Sequence, residues 1–418
     1  MTASALVVAD DLTGAMDAGG AFAARDHRTT VAVGEGGDTA ADGVLVVDTD
    51  SRYRPPEEAR AAVERAVGDR PAPVVYKKLD STLRGNVASE TAGALAAAGA
   101  DCAVVAPAFP ANGRLTAAGH HLVDGVPVTE SAAGDDPERP PGDAHLPTLL
   151  SGTDAGPVAH LDAGVVAAGS DSVRAAVESA DARLLACDAV HGTHLDALAT
   201  GAADADRSVV YAGSAGLAGA VRLPGSAPPA DPPDPPADAR VLGIAGSTNP
   251  ATVAQVAALP AERVVALDAT RAVADPEGAA EDATRKARDR LSGGVVVTSV
   301  REDGDVAAVH RAADREGVDP GEARERVARA LGACAAGIVE HDPPDGLLLT
   351  GGAVARAAFD ALGTEAVALT SETVAAGIPV GRVRGGTADG TGVVTKAGGF
   401  GGERALADAL DRLGGRDE

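Results

Sequence analysis

The sequence predicts two α/β domains, each with a mainly parallel sheet, joined by a proline-rich linker. Three observations predict it. Short apolar runs alternate along the chain with alanine-rich helical stretches, and continuous apolar strands set between helices belong to parallel sheets covered on both faces. The length of 418 residues suits two domains, each large enough to bury its own core. Residues 224–238, PGSAPPADPPDPPAD, carry proline at a density that continues neither a helix nor a strand ladder and favours an extended spacer. The expected boundaries are a first domain over residues 1–223, a linker over 224–238 and a second domain over 239–418.

In chain order, the first half offers strands at 5–9, 30–33, 44–47, 74–76, 103–106, 158–161, 184–187 and 209–211. Helices are expected at 60–67, 88–98 and 172–178 between some of them. Residues 134–156 are polar, rich in Pro and Gly and without periodicity, so they are expected to form a surface loop. After the linker the alternation resumes, with strands at 241–244, 264–267, 295–298, 347–350 and 367–369. Helices are expected there at 250–258, 276–291, 320–340 and 354–362. No repeat at a solenoid period is present.

Composition excludes several classes. The chain has 36 Lys+Arg against 61 Asp+Glu, a net charge of -25, which argues against nucleic acid because phosphate contacts need a basic face. The acidic residues are spread along the chain, a pattern expected of a surface adapted to high salt; an ordinary acidic cytosolic protein is the alternative. Aromatic residues make up 2% with no Trp, so the core must be built from Val, Leu, Ala and Ile. Cys102, Cys187 and Cys334 are odd in number, far apart and without ligand spacing, so they are read as small buried hydrophobes, with no metal site assigned. The N-terminus lacks a basic leader, and no apolar run reaches the roughly 18 residues a membrane span needs. A soluble cytoplasmic protein with no membrane partner is the expectation.

The densest chemistry lies at Tyr76-Lys77-Lys78-Leu79-Asp80-Ser81-Thr82-Leu83-Arg84-Gly85-Asn86, directly after an expected strand. The chain has only four lysines (Lys77, Lys78, Lys286 and Lys396), and two stand side by side here. Ammonium, guanidinium, carboxylate, hydroxyl and amide groups packed at a strand end suit an anionic, hydroxyl-bearing small molecule. Strand alternation points Lys77 away from Lys78, toward structure. Asp10-Asp11-Leu12-Thr13-Gly14 follows strand 5–9, where ligands of open parallel sheets bind. One Asp can cap the following helix while the other faces a substrate; which does which stays open. Arg52 ends the strand at 44–47, and Asn112 and Arg114 follow the strand at 103–106, although Asn112-Gly113 is also a common turn pair. His120 and His121 are read as surface or supporting residues. Together these suit a small polyhydroxy acid, with cations on its carboxylate and Asp on its hydroxyls.

Four glycine-rich turns follow strands: Gly213-Ser214-Ala215-Gly216, Gly246-Ser247-Thr248, Gly351-Gly352-Ala353 and Lys396-Ala397-Gly398-Gly399-Phe400-Gly401-Gly402. Glycine lets backbone N–H groups approach phosphate oxygens, and a helix N-terminus adds its dipole. The chain has no GxxxxGK[ST], no GxGxxG after a strand and no GxSxG, which speaks against a P-loop, a dinucleotide fold and a hydrolase elbow.

The combination of Ala9-Asp10-Asp11-Leu12-Thr13-Gly14-Ala15, residues 77–86, Pro107-Ala108-Phe109-Pro110 with Asn112-Gly113-Arg114, and Gly213-Ser214-Ala215-Gly216-Leu217-Ala218 resembles the four-carbon acid sugar kinases. Gly246-Ser247, Gly351-Gly352, Glu372 with Gly377-Ile378-Pro379, and Lys396 through Gly401 agree, so the resemblance runs nearly end to end. It implies an N-terminal acid-sugar domain, a C-terminal ATP domain, and ATP- and Mg²⁺-dependent transfer of the γ-phosphoryl to a terminal hydroxyl of a threonate, erythronate or 3-oxo-tetronate. By position, Asp11 or Asp10 would be the general base. Arg52, Lys78, Asp80, Ser81, Thr82, Leu83, Arg84, Asn112 and Arg114 would meet the sugar acid. Ser247, Gly351, Gly352, Ala353, Val354, Lys396, Gly398 and Gly399 would hold ATP. One departure stands out: Ala353-Val354 replaces a polar pair such as Glu-Thr or Asp-Thr. It is the only support for the rival reading, a catalytically silent sugar-acid and nucleotide sensor. A nicotinamide-linked oxidoreductase is the weaker rival. A homodimer is expected from how such enzymes usually assemble, not from any residue.

Overall fold

A computed structural model describes residues 3–33, 43–136, 139–223, 227–236, 239–302 and 304–416. They divide into two compact units that part between Pro228 and Pro229, with Ala32 and Val33 counted in the second.

The first unit contains β1 (Ala5–Ala9), β2 (Thr29–Ala32), β3 (Val44–Asp48), β4 (Val74–Lys78), β5 (Cys102–Ala106), β6 (Arg114–Ala117), β7 (His120–Val123), β8 (Val126–Pro127), β9 (Val158–Leu161), β10 (Leu184–Cys187) and β11 (Val209–Gly213). Its main sheet runs β2-β3-β1-β4-β11-β5-β10-β9, and every pairing from β3 to β9 is parallel. All five residues of β1 are wholly buried, which is why the run carries no polar side chain. The chain leaves β1 for β3 on one side and returns to β4 on the other. That reversal opens a crevice at the carboxyl ends of these three strands, the place where α/β sheets bind ligands.

The second unit contains β12 (Val241–Ala245), β13 (Val264–Ala266), β14 (Val295–Thr298), β15 (Gly346–Thr350), β16 (Ala366–Ala375), β17 (Ile378–Arg384) and β18 (Gly392–Lys396). The order is β13-β14-β12-β15-β18-β17-β16. It is parallel as far as β18, and β17 and β16 add an antiparallel hairpin. Here the reversal falls at β12 and β15. All three cysteines are free and buried, and among the described residues no helix is long and apolar enough to cross a membrane.

One expectation is corrected. Within 134–156, Leu146–Leu150 forms a short helix whose Leu146 and Leu150 are completely buried, so apolar burial, invisible to periodicity over five residues, anchors what the composition reads as loop. Of the described part of the proline stretch, Ala227 and Pro228 group with the first unit, their carbonyls accepting from Arg28, and residues 229–236 group with the second. The carbonyls of Asp231 and Pro232 accept from Arg382, and that of Pro233 accepts from Arg412. Residues 224–226 and 237–238 of the expected linker lie outside the described residues.

Candidate active site

The first cluster forms where β1, β3 and β4 end. Asp11 is the N-cap of helix Leu12–Ala23, with Oδ1 accepting from the Gly14 amide at 2.8 Å. Thr13 Oγ1 donates to Asp11 Oδ2 at 2.7 Å. Arg52, brought alongside by the β1–β3 pairing, lies between both carboxylates. Its Nε and Nη2 reach Asp10 at 2.8 and 2.9 Å, and its Nη1 and Nη2 reach Asp11 at 2.8 Å each. Arg52, expected to meet a ligand, thus commits most of its donors internally, and Asp11 already accepts four hydrogen bonds. Burial raises the proton affinity of Asp10, but the Arg52 and Lys77 charges outweigh it and hold the carboxyl below its ordinary range. Of the two acids Asp11 is the more open, its side chain 18% exposed against 3% for Asp10.

The loop after β4 is built around Asp80. Its Oδ2 accepts from Thr82 Oγ1 and from Arg84 Nε, both at 2.6 Å. Burial raises the Asp80 pKa, yet the Arg84 and Arg52 charges keep it well below the usual carboxylate range. Leu83 is buried and adopts φ +58°, a left-handed conformation that a branched side chain takes only when its surroundings impose it. Leu83 is therefore a packing anchor for the loop, not a polar contact. Arg84 is the open cation of the cluster, its side chain 30% exposed with Nη1 3.6 Å from Asp136.

The two adjacent lysines diverge as alternation predicts. Lys77 Nζ, wholly buried, pairs with Glu90 at 2.9 Å, and Glu90 also accepts from Ser51 at 2.6 Å. Lys78 turns to the opposite face. Its Nζ donates to the Leu79 carbonyl at 2.8 Å and lies 3.7 Å from Asp17. A Cβ on Gly14 would fall 3.3 Å from that ammonium and 2.5 Å from Asp11 Oδ1, so only glycine lets the helix start this close.

Asn112 ends a short 3-10 turn, its Nδ2 buried without a partner among the described residues, and Arg114 donates to the Asn112 carbonyl. They open β6, whose antiparallel partner β7 carries His121. His121 is no surface residue: it is fully buried, bonds Thr116 and the Ser81 carbonyl, and burial pushes its pKa down to about 4. It ties the small sheet to the Asp80 loop. Asp17, a buried carboxylate inside helix Leu12–Ala23, belongs to the cluster and was not singled out from the sequence. The one signal available was an acid flanked by Met16 and Ala18 in an otherwise apolar helix.

In the second unit the glycine turns after β12, β15 and β18 converge. A Cβ on Gly398 would lie 2.3 Å from Ser247 Oγ, one on Gly351 would lie 3.2 Å from the Ser247 amide, and one on Gly399 would lie 3.4 Å from Asn249. Helix Gly352–Leu362 starts there with no side-chain cap, leaving the first-turn amides of Gly352, Ala353 and Val354 without intrahelical acceptors. The Val354 side chain is not at the surface. It is 4% exposed and packs behind the turn against Gly246, so only its backbone faces the site. Lys396 is fully buried, and its Nζ donates to Thr252 Oγ1 and the carbonyls of Ala397, Gly398 and Phe400 at 2.9–3.2 Å. Its ammonium gathers the carbonyls of the turn that follows it, and burial lowers its pKa to about 8. Beyond helix Pro250–Ala257, a cavity of about 580 Å³ opens at the ends of β13 and β14, bounded by Val256, Leu259, Leu267, Asp268 and Ser299.

The two halves of the chain match two known domains. A sugar-binding N-terminal domain family matches residues 5–221, and a nucleotide-binding C-terminal domain family matches residues 242–406. The D-threonate kinase of Salmonella typhimurium is 35% identical over 97% of this chain and 97% of its own. The 3-oxo-tetronate kinase of Methylobacterium radiotolerans is 34% identical over 97% and 98%, and the D-erythronate kinase of Heliobacterium modesticaldum 29% over 98% and 96%. Among solved structures, a Salmonella typhimurium protein superposes with a TM-score of 0.79 at 22% identity, covering 98% of this chain and 99% of that one; a likeness at that identity speaks to fold. A Haemophilus influenzae protein does so with 0.71 at 23%, covering 98% and 100%. These relatives, named as kinases of different four-carbon acids, each span nearly the whole chain and both of its units, and the chain belongs with them to the four-carbon acid sugar kinase family.

Proposed function

We propose that the protein transfers the γ-phosphoryl group of ATP to a terminal hydroxyl of a four-carbon sugar acid of the threonate, erythronate or 3-oxo-tetronate type. The observation that carries this is the presence, on one chain, of two chemically complementary clusters. One is a cation, hydroxyl and carboxylate cluster at the strand ends of the sugar-binding unit. The other is a cradle of converging glycine turns in the nucleotide-binding unit. The domain assignment follows: residues 1–223 bind the acid and residues 239–418 the nucleotide.

Phosphoryl transfer needs positioning and charge neutralisation more than covalent chemistry. Arg84 and Lys78 attract the substrate carboxylate, Thr82 and Ser81 offer hydroxyls, and Asn112 and Arg114 close the side formed by β6. Arg52 acts one step back, by fixing Asp10 and Asp11. Asp11 is the better placed base, because the Thr13 hydroxyl can rotate off Oδ2 and free a lone pair for the proton of the attacking hydroxyl, whereas Asp10 is sealed behind Arg52. On the nucleotide side, the first-turn amides of Gly352, Ala353 and Val354 with Ser247, Gly398 and Gly399 suit phosphate oxygens. Helix Pro250–Ala257 spans about 10 Å at 1.5 Å per residue, and the cavity at its far end suits the nucleoside. Mg²⁺, carried largely by phosphate oxygens and water, would neutralise charge there without a dedicated protein cage. The replacement of a polar pair by Ala353-Val354 removes no backbone donor, so it does not favour a silent sensor.

The test is ADP formation from ATP with a panel of tetronates across a range of salt, followed by the same assay on Asp11→Asn. The Asn variant should lose at least about 100-fold in kcat, the usual contribution of a general base. ATP consumption with none of the acids would remove the kinase reading, and full turnover by Asp11→Asn would remove Asp11 as base. For the cradle, Gly398→Ala must displace Ser247. It is expected to raise the KM for ATP about tenfold, some 1.4 kcal/mol, while leaving the KM for the sugar acid within twofold of wild type.

A further inference from the structure

The neighbouring ion pairs Lys77–Glu90 and Lys78–Asp17 are built differently. The first is closed: the ammonium meets the carboxylate at 2.9 Å, and the second carboxylate oxygen takes the Ser51 hydroxyl at 2.6 Å. The second is open. Asp17 Oδ2 lies 3.7 Å from Lys78 Nζ, beyond good hydrogen-bonding distance, and Oδ1 is buried with no donor among the described residues. A carboxylate buried in this way is costly to keep charged, because Oδ1 gains no donor for the water it lost and Oδ2 has only a long contact with Lys78. Burial accordingly pushes the Asp17 carboxyl up to about 7, against the pull of Lys78 and with the Asp11 and Asp80 charges adding to the rise.

The surroundings confine this effect to a few groups. Strand β4 contributes Lys78 and Tyr76, the loop after it Asp80, and the start of the same helix Asp11. Strand β3 brings Asp48, which caps the Asp50 amide. Strand β1 and the short helix Ala215–Ala218, which also pack on helix Leu12–Ala23, carry no titratable side chain. Among the described residues, Lys78 is thus the single cation whose charge Asp17 can cancel at short range. Its ammonium sits against the first helical turn, next to Asp11, where the sugar acid is placed above.

We propose that Asp17 is a positioning residue that sets the charge Lys78 presents to the substrate, by passing between a neutral acid and a carboxylate that pairs with Lys78. This rests on the proposed kinase function and on Lys78 facing the acid. With Asp17 protonated, Lys78 keeps a full positive charge for the substrate carboxylate, which is ionised throughout the neutral range. With Asp17 ionised, the proton has gone to solvent and the pair is neutral. Binding the acid at pH 8 must then return one proton from solvent to Asp17.

The experiment measures the KM for the preferred tetronate at saturating ATP from pH 5.5 to 9, in wild type and Asp17→Asn. Calorimetric titration of the wild type with the tetronate, in buffers of different ionisation enthalpy, counts the protons taken up. The wild-type KM is expected to rise about twentyfold between pH 6.5 and 8.5, as linkage to one proton requires, with close to one proton bound at pH 8. In Asp17→Asn, which is fixed neutral, KM should stay low and flat. A flat wild-type KM, no proton uptake, or the same rise in Asp17→Asn overturns the proposal. Should Asp17→Asn fail to fold, the wild-type profile and proton count still decide. Absence of turnover with every tetronate is a separate result that removes the kinase reading and this inference with it.

Discussion

Arg52→Ala is expected to destabilise the first unit by about 3–5 kcal/mol, the cost of removing one partner from a buried ion network. Four of the guanidinium N–H contacts go to Asp10 and Asp11, and the side chain is 8% exposed. Without it two adjacent carboxylates remain at the end of β1, one of them wholly desolvated. The pH dependence follows from the sign of the shift. In wild type the folded pKa of Asp10 is depressed, so its contribution is present above the ordinary carboxylate range and is lost as pH falls through the folded value. In the variant burial dominates and the pKa rises, so the loss in stability is greatest near neutral pH and shrinks toward pH 4. Adding Asp10→Asn to Arg52→Ala removes one uncompensated charge and should recover part of the loss. Arg52→Lys should not rescue it, because one ammonium cannot serve two carboxylates bidentately. Urea unfolding at pH 5 and pH 8 reads all three variants. Equal loss at both pH values would contradict the electrostatic account.

What the sequence made legible follows the physics of each element. Strands β1, β5, β12 and β15 are buried on both faces and read as unbroken apolar runs. The pair β6 and β7 is Arg-Leu-Thr-Ala against His-His-Leu-Val, and β17 is Ile-Pro-Val-Gly-Arg-Val-Arg; their polar residues and glycine hide the pattern until a partner strand is known. The opposite fates of Lys77 and Lys78 were legible because a two-residue period needs no knowledge of the fold. Arg52 was legible as a polar arm beyond a strand end but not as the clasp of Asp10 and Asp11, because that depends on β3 lying beside β1. Asp17 was hidden more deeply. Helical periodicity gives no reason for an acid there, and its meaning emerges only once β4 delivers Lys78 to the same face.

Lys396→Met is expected to have the largest effect on nucleotide use, raising the KM for ATP by at least about tenfold to 100-fold, the 1.5–3 kcal/mol assigned to hydrogen bonds from a charged group. Among the described residues Lys396 forms no ion pair; its ammonium is held by one hydroxyl and three carbonyls of the turn it ends. Its charge is therefore uncompensated within the second unit, a few residues from the uncapped start of helix Gly352–Leu362. On the proposed function, an anion bound at the glycine turns would supply the missing counter-charge, and the cation would in turn hold those turns in register by gathering their carbonyls. Both roles predict a change in ATP affinity, and pH separates them. Burial lowers the folded pKa to about 8, and bound phosphates raise it again. ATP affinity in wild type should therefore fall as pH climbs through 8, and Lys396→Met should lack that fall. If Lys396 only braced the backbone, the variant would bind ATP weakly yet leave the alkaline slope intact. Equilibrium binding of ATP at pH 7 and pH 9, with the sugar acid varied at saturating ATP in parallel turnover assays to confirm that its KM is unmoved, distinguishes a counter-charge from a brace.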